Sequence, residues 1–451
     1  MYAIYEIIKE KLAPKIASPL VIGASLLAVP VLMASQNWDD HDRSDRYTAI
    51  AMAKAYLNSC EPNAILYTIG DNDTFPLWYA QEIEGIRPDI KLCCTSLLMT
   101  DWYVDQMKMK TYSSEGLPIS FTHNQYVDGT RDYIVFSEQV KSRWNLSDFL
   151  NFAKSEDTIT EVEMASGQRV HFFPTNKVRI PVDKAAVIKN KAVNPKYYDS
   201  IVPFIDIDID GNALYKNRII MLDILNNNNW KRPIYFSPGS FNNDDYLWMK
   251  DYLELDGMVY KLVPIKTKVS EDNPMDMGQI DSDKMFSIVQ KWTWGNGDKT
   301  TIYHDPETRK NSISTRTNLS RLMYQLIEEG KVGKAKNIIE MGVTKFPLDY
   351  YGYYTMVEPF ADGYYKVGET AKARELLDRL MTKYKEDLKF YSTLSSSDKG
   401  FFRSDIATDI ERYRSLLKVM KKNKDIDFYN KSRATFNTIN NQFQFIGRDM
   451  E

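Results

Sequence analysis

Between Ile16 and Trp38 the chain runs for 23 residues without a charged side chain. Its apolar heart is Ile16–Ala34, and a helix needs about 20 such residues to cross the hydrocarbon core of a bilayer. Pro19, Gly23 and Pro30 weaken a helix in water but are tolerated in a membrane helix. A signal peptide is the first competing reading. Against it stand the long, mixed-charge leader Met1–Lys15 and the weak cleavage triplet Met33-Ala34-Ser35. A buried core helix is the second. The expectation carried forward is one transmembrane helix. Lys9, Lys11 and Lys15 precede it and acidic residues follow it, which predicts a cytoplasmic N-terminus and an exported body. The leader, with Tyr2, Ile4, Tyr5, Ile7, Ile8 and Leu12, is amphipathic and suited to lie along a membrane surface.

The remaining chain is long enough for two further folded units. Hydrophobic residues make up 43% and charged residues 26%, so a mainly disordered chain is excluded. The net charge of −3 argues against a general nucleic-acid binder, which is usually basic. Cys60, Cys93 and Cys94 cannot form a disulfide framework and have no zinc spacing. Their expected state is buried free thiol.

After the span, apolar runs and helical periods alternate. Helices are expected over 44–57, 74–84 and 100–110, and strands over 63–69 and 90–95. This β-α-β-α order implies a parallel sheet with right-handed crossovers. Further strands are expected at 133–136, 169–173, 178–182, 232–237 and 257–265, with helices at 146–154, 215–225 and 285–292. From Asn318 the period becomes helical and repeats. Leu322, Leu326, Gly330, Ala335 and Ile339 are followed by Phe360, Tyr364, Gly368, Ala373 and Leu377 at an interval of 38. Small residues there allow two helices to approach closely, as in tetratricopeptide repeats. The resulting division is an amphipathic segment and transmembrane helix (1–36), an α/β domain with a Rossmann-like parallel or mixed sheet (37–300), an all-α tetratricopeptide-like region (301–425) and a tail (426–451). The helix near 405–421 is expected to cap the repeats.

Three motifs bear on chemistry. Asp206-Ile-Asp-Ile-Asp-Gly211 matches the front of a calcium loop, but Asn217 stands where a bidentate Glu is needed, so an alternating strand is the better reading. Asp39-Asp40-His41 with Gly70-Asp71 distantly resembles metallophosphoesterase motifs that hold two metals. Thr74 replaces a required Asp, and no Gly-Asn-His follows. The most distinctive stretch is Gly70-Asp71-Asn72-Asp73-Thr74-Phe75-Pro76-Leu77-Trp78. One of its carboxylates can cap the following helix. Two carboxylates, an Asn and a Trp also suit a sugar, which needs fixed acceptors and an aromatic plate. Ser237 follows a second apolar strand, and strand ends are where open α/β sheets bind ligands. No Walker or Rossmann glycine pattern and no nucleophile–base pair is present, and no cofactor or metal is expected.

Gln36–Tyr47, Gly70–Glu82 and Thr100–Met107, which holds Asp101 and Trp102, closely resemble the C-terminal half of the bacterial domain-of-unknown-function 2723 family. Its members are multipass membrane proteins similar to protein O-mannosyltransferases of the glycosyltransferase-C superfamily. The resemblance implies that Ile16–Ala34 is the last of many membrane helices and that the body is periplasmic. It implies further that the catalytic membrane half lies upstream, in a longer or split protein or in a partner subunit. The expected role is to bind a polypeptide or glycan acceptor, or a sugar, beside the bacterial inner membrane. A non-enzymatic envelope scaffold, binding proteins through the helical repeats, is one alternative, and a metal-dependent phosphoester hydrolase is a second. Asp71, Asn72, Asp73, Trp78, Asp39, Asp40, His41, Asp101, Trp102 and Ser237 are the candidate ligand-binding residues.

Overall fold

The structure is a computed structural model that describes residues 2–239, 242–267 and 276–443. It opens on a short amphipathic helix, α1 (Tyr2–Lys9). Then α2 (Pro14–Leu26), a π-helical turn at Leu27–Val31 and α3 (Leu32–His41) run on as one rod. Pro30 has no N–H and its ring crowds the preceding turn, so a widened turn there is the expected accommodation. Pro14–Trp38 is long and apolar enough to cross a membrane, and most of it is uncovered by the rest of the chain.

The rod is fastened to the body where it ends. Asp305 accepts Arg46 at 2.9 Å, Asn296 Nδ2 donates to the Asp45 carbonyl at 2.8 Å, and the Tyr47 N–H donates to the Gly295 carbonyl at 3.3 Å. Residues 43–47 are held in this junction, with Asp45 at a φ of 58°, so the first body helix starts later than the expected Ser44.

That helix is α4 (Thr48–Ser59). It leads through β1 (Ile65–Thr68), α5 (Asp71–Glu82), β2 (Lys91–Cys94) and α6 (Asp101–Met107). There follow α7 (His123–Tyr126), β3 (Tyr133–Phe136), β4 (Trp144–Asn145), α8 (Leu146–Lys154), β5 (Glu161–Glu163), β6 (Arg169–Phe173), β7 (Lys177–Pro181), α9 (Lys184–Lys189), β8 (Phe204–Asp208) and β9 (Ala213–Tyr215). Next come α10 (Lys216–Asn228), β10 (Ile234–Phe236), β11 (Leu253–Asp256), β12 (Val259–Leu262) and α11 (Ser282–Val289). The main sheet has the order β11-β12-β10-β1-β2. β1 is parallel to both neighbours, with Tyr67 opposite Phe236 and Thr68 opposite Cys94. β11 and β12 are antiparallel, so the sheet is mixed. Two smaller sheets, β5-β6-β3-β9 and β4-β7-β8, complete the α/β body. β1, β2 and β10 are buried along their whole length, which suits their mostly apolar sequences. The three cysteines are free and buried.

One strand was expected over 257–265; the structure has a hairpin turning at Gly257. Leu253-Glu-Leu-Asp256 hides as a strand because its acids are unusual in a core. Lys284 on α11 reaches Glu61 at 2.7 Å, Glu254 at 3.0 Å and Asp256 at 2.6 Å, and Lys261 reaches Glu61 at 2.6 Å. Burial pushes the Asp256 carboxyl up to about 6, with Lys284 pulling the other way. Burial also opposes the charge on Lys284, but the three carboxylates outweigh it and hold the ammonium well above its usual value.

The last region is helical: α12 (Pro306–Glu328), α13 (Val332–Thr344), α14 (Leu348–Tyr351), α15 (Glu358–Lys366), α16 (Thr370–Thr393), α17 (Ser396–Phe401), α18 (Arg403–Lys422) and α19 (Ile426–Asn440). α12/α13 and α15/α16 are the two hairpins the repeat predicts. Their turn glycines, Gly330 and Gly368, have φ of 72° and 82°. In both, the next N–H returns to a carbonyl five residues back: Lys331 to Leu326, and Glu369 to Tyr364. Gly342 lies under the Phe360 ring and Gly363 under the Met323 sulfur, each too close for a Cβ. The helix near 405–421 is not a lone cap. It is α18, which pairs with α19 in a third hairpin, where the Asp425 N–H returns to Met420 and Lys424 takes the glycine's place at φ 61°. The expected tail therefore begins with a packed helix. Arg374 pairs with Asp425 at 2.6 Å, and the Tyr413 and Phe436 rings lie 5.1 Å apart.

Candidate functional site

At the carboxyl ends of the parallel strands, Asp73 organises the backbone. Its Oδ1 accepts the Gly70 N–H at 3.0 Å, and its Oδ2 accepts the Ile69 N–H at 3.0 Å and the Ser237 hydroxyl at 2.5 Å. The reach back to residue 70 starts α5 at Asp71, three residues before the expected Thr74. Thr68 and Thr74 share a hydrogen bond of 2.7 Å beneath it. Ser96 Oγ donates to the Ile69 carbonyl, and Asn217 donates to the Thr95 carbonyl at 3.2 Å. These bonds join the ends of β1, β2 and β10. Asp73 and Ser237 thus have a structural task, while Asp71 and Asn72 face solvent. On the far side of this crevice Arg218, at the start of α10, pairs with Asp244 at 2.9 Å and Asp245 at 2.7 Å.

The two predicted tryptophans meet elsewhere. Trp78 on α5 and Trp102 on α6 line one groove of about 390 Å3, together with Gln81, Glu82, Gln106 and Tyr112. Phe75 stacks on Trp78 with centroids 5.3 Å apart and planes at 25°. Trp102 is 55% exposed and stands edge-on to the buried Tyr103. Asp101 receives the Trp102 N–H at 2.6 Å and opens α6. The Tyr112 hydroxyl donates to Glu82, tying the 111–114 turn to α5. Gln81 Nε2 is bound to the carbonyls of Arg87 and Ile90 at 2.7 and 3.0 Å, which fixes the amide in place. At the groove floor Lys91 donates to the Met109 carbonyl at 2.7 Å and to Thr111 Oγ1 at 2.9 Å. Burial lowers the pKa of this ammonium, and Arg232 adds to the effect. Two indole rings lining one groove with a fixed amide, a carboxylate and a phenol suit stacking on a sugar ring and hydrogen-bonding to its hydroxyls.

The ten predicted residues therefore fall into three places. Asp71, Asn72, Asp73 and Ser237 belong to the strand-end crevice. Trp78 and Trp102 belong to the groove, and Asp101 stands beside it at the start of α6 without lining it. Asp39, Asp40 and His41 lie at the end of α3, where Asp40 meets the Tyr303 hydroxyl and His41 Nδ1 is 2.9 Å from the Asn37 carbonyl. The expected single site of Asp71, Asp73 and Trp78 is not formed: Asn72 and Asp73 line a different cavity, between α4, α5 and α12, of about 480 Å3. Sequence reasoning missed Gln81, Glu82 and Gln106, although their spacing from Trp78 and Trp102 at i+3 and i+4 puts each beside a ring on one helix face. Tyr112 had no such signal, because a turn brings it in. Among the described residues no group of His, Cys, Asp and Glu is placed to hold a metal. In the calcium-like stretch, Asp206 and Asp208 are matched by Arg179 and Arg143 at 2.7 Å on a β-strand.

The family model described as TMEM260-associated domain 2 matches residues 49–284, from α4 to the start of α11. No curated protein and no solved structure matches the chain.

Proposed function

The chain belongs to the TMEM260-associated domain 2 family, and from that premise we propose that it is the membrane-anchored, extracytoplasmic part of a protein O-mannosyltransferase-like glycosyltransferase system. The likeness of its motifs to the domain-of-unknown-function 2723 proteins supports this reading. So does the apolar rod that leads into the body. The N-terminus lies in the cytoplasm and the body in the periplasm of a bacterial inner membrane, as the lysines before the rod favour. The catalytic half belongs to an upstream multipass segment or subunit. The body's task is to hold a glycan or a polypeptide acceptor near the bilayer.

The observation that carries the reading is the Trp78–Trp102 groove with its fixed polar groups. Its test is titration calorimetry of the detergent-solubilised full chain with a mannose oligosaccharide and with a Ser/Thr-rich peptide. Loss of a stacking ring weakens binding by about tenfold, so Trp102→Ala binds the oligosaccharide more weakly and Asp71→Ala leaves it unchanged. Equal affinity in Trp78→Ala, Trp102→Ala and the native chain removes the groove from the assignment. A second reading, an envelope scaffold that binds proteins through its helices, draws support from the three stacked hairpins.

A further inference from the structure

The helical region has its own cleft, remote in sequence from the groove. Ser404, Ala407, Thr408, Glu411 and Ser415 recur every three or four residues and so share one face of α18. Across a space of about 480 Å3 they face Thr355 and Glu358. Apart from Glu411 these side chains are small, and the cleft runs along about 16 Å of helix.

Glu358 is the anomaly. It opens α15, where a negative charge near the helix start is ordinary. An ordinary first-turn Glu reaches water, whereas among the described residues Oε1 of Glu358 is buried without a partner and Oε2 accepts only the Ser415 hydroxyl, at 3.0 Å. Near it the buried Tyr384 hydroxyl also lacks a partner among the described residues. Of the described residues lining the cleft, Arg412 is the single cation, and it is 3.9 Å from Asp409. Glu411 is paired outward with Arg414. Burial pushes the Glu358 carboxyl up to about 7, against weaker pulls from Ser415 and Arg412. Burial, with Asp387 second, likewise lifts Asp409 to about 6.

We propose that this cleft receives a cationic side chain, guanidinium or ammonium, of an extended polypeptide, with Glu358 as its counter-ion. A half-buried carboxylate with a single hydroxyl donor is costly alone and favourable once a charged donor reaches it. An anion would meet Glu358 and Glu411 together. The open length along α18 suits a chain and not an isolated small cation. The assignment is independent of the sugar groove.

The test uses the detergent-solubilised full chain and an eight-residue Ser/Ala peptide with one central arginine, followed by calorimetry at low salt. The expected result is one peptide per chain, with affinity lowered about tenfold or more by Glu358→Gln. The same peptide with citrulline in place of arginine binds as weakly as the variant does to arginine. Repeating the titration in buffers of different ionisation enthalpy shows proton release, because the arriving cation lowers the carboxyl's pKa. Thr408→Tyr, which fills the cleft and leaves Glu358 in place, also blocks binding, whereas Trp102→Ala does not. Equal binding of the arginine and citrulline peptides, unchanged affinity in Glu358→Gln, or absence of binding overturns the proposal.

Discussion

Lys424 shows how one residue can hide a structural unit. In the first two hairpins the chain reverses at a glycine with positive φ; in the third, lysine takes that conformation. A Cβ in the left-handed region costs about 1 kcal/mol, which glycine avoids. Lys424→Gly is therefore expected to raise thermal stability by up to about 1 kcal/mol, read as a higher melting temperature of the detergent-solubilised chain. The same substitution of lysine for glycine explains why the third unit was illegible. The repeat at 330 and 368 is marked by its glycine and the alanine five residues later, whereas 424 and 429 carry Lys and Tyr. Asp73 teaches a related lesson. Its place before a helix was readable, but its three donors come from residues 69, 70 and 237, and the last pairing requires the parallel register of β1 with β10.

Among the elements, the β11–β12 hairpin and α11 depend on one another. Lys284 is the only group reaching all three of Glu61, Glu254 and Asp256 among the described residues. Removing one partner of a buried ionic set leaves charge uncompensated, at a cost of about 3–5 kcal/mol. Lys284→Met should show this loss in denaturant unfolding at pH 8. The loss should shrink at pH 5, because protonation discharges carboxylates that the lysine no longer neutralises. In the native chain, Asp256 has a folded pKa of about 6, raised above its ordinary value. Its own contribution is thus complete below about pH 4 and is lost as pH rises through 6. Periodicity read β3, β6 and α8 with their observed bounds, since each follows a clean local pattern. It misses β11 and reads only one strand, over 257–265, because acids inside a strand look like a loop until α11 supplies their lysine.

For the whole molecule, the apolar rod and the α/β body followed by helices were legible in order, because each has its own period of hydrophobicity. The way the groove forms was not, since Trp78 and Trp102 are brought together by two helices that flank β2. Membrane attachment gives the test at this scale. The full chain should stay with membranes through alkaline carbonate extraction, and a chain lacking residues 1–38 should be released. Release of the full chain by carbonate would show that the rod is not inserted.

The junction at Arg46 and Asp305 sets a limit on reach. Between the end of α3 at His41 and the start of α4 at Thr48 lie six residues, which span at most about 20 Å when fully drawn out. Even with every bond at that junction broken, the folded mass stays on a short leash. With the rod in a bilayer, as proposed, whatever the body meets lies within a few nanometres of the lipid surface.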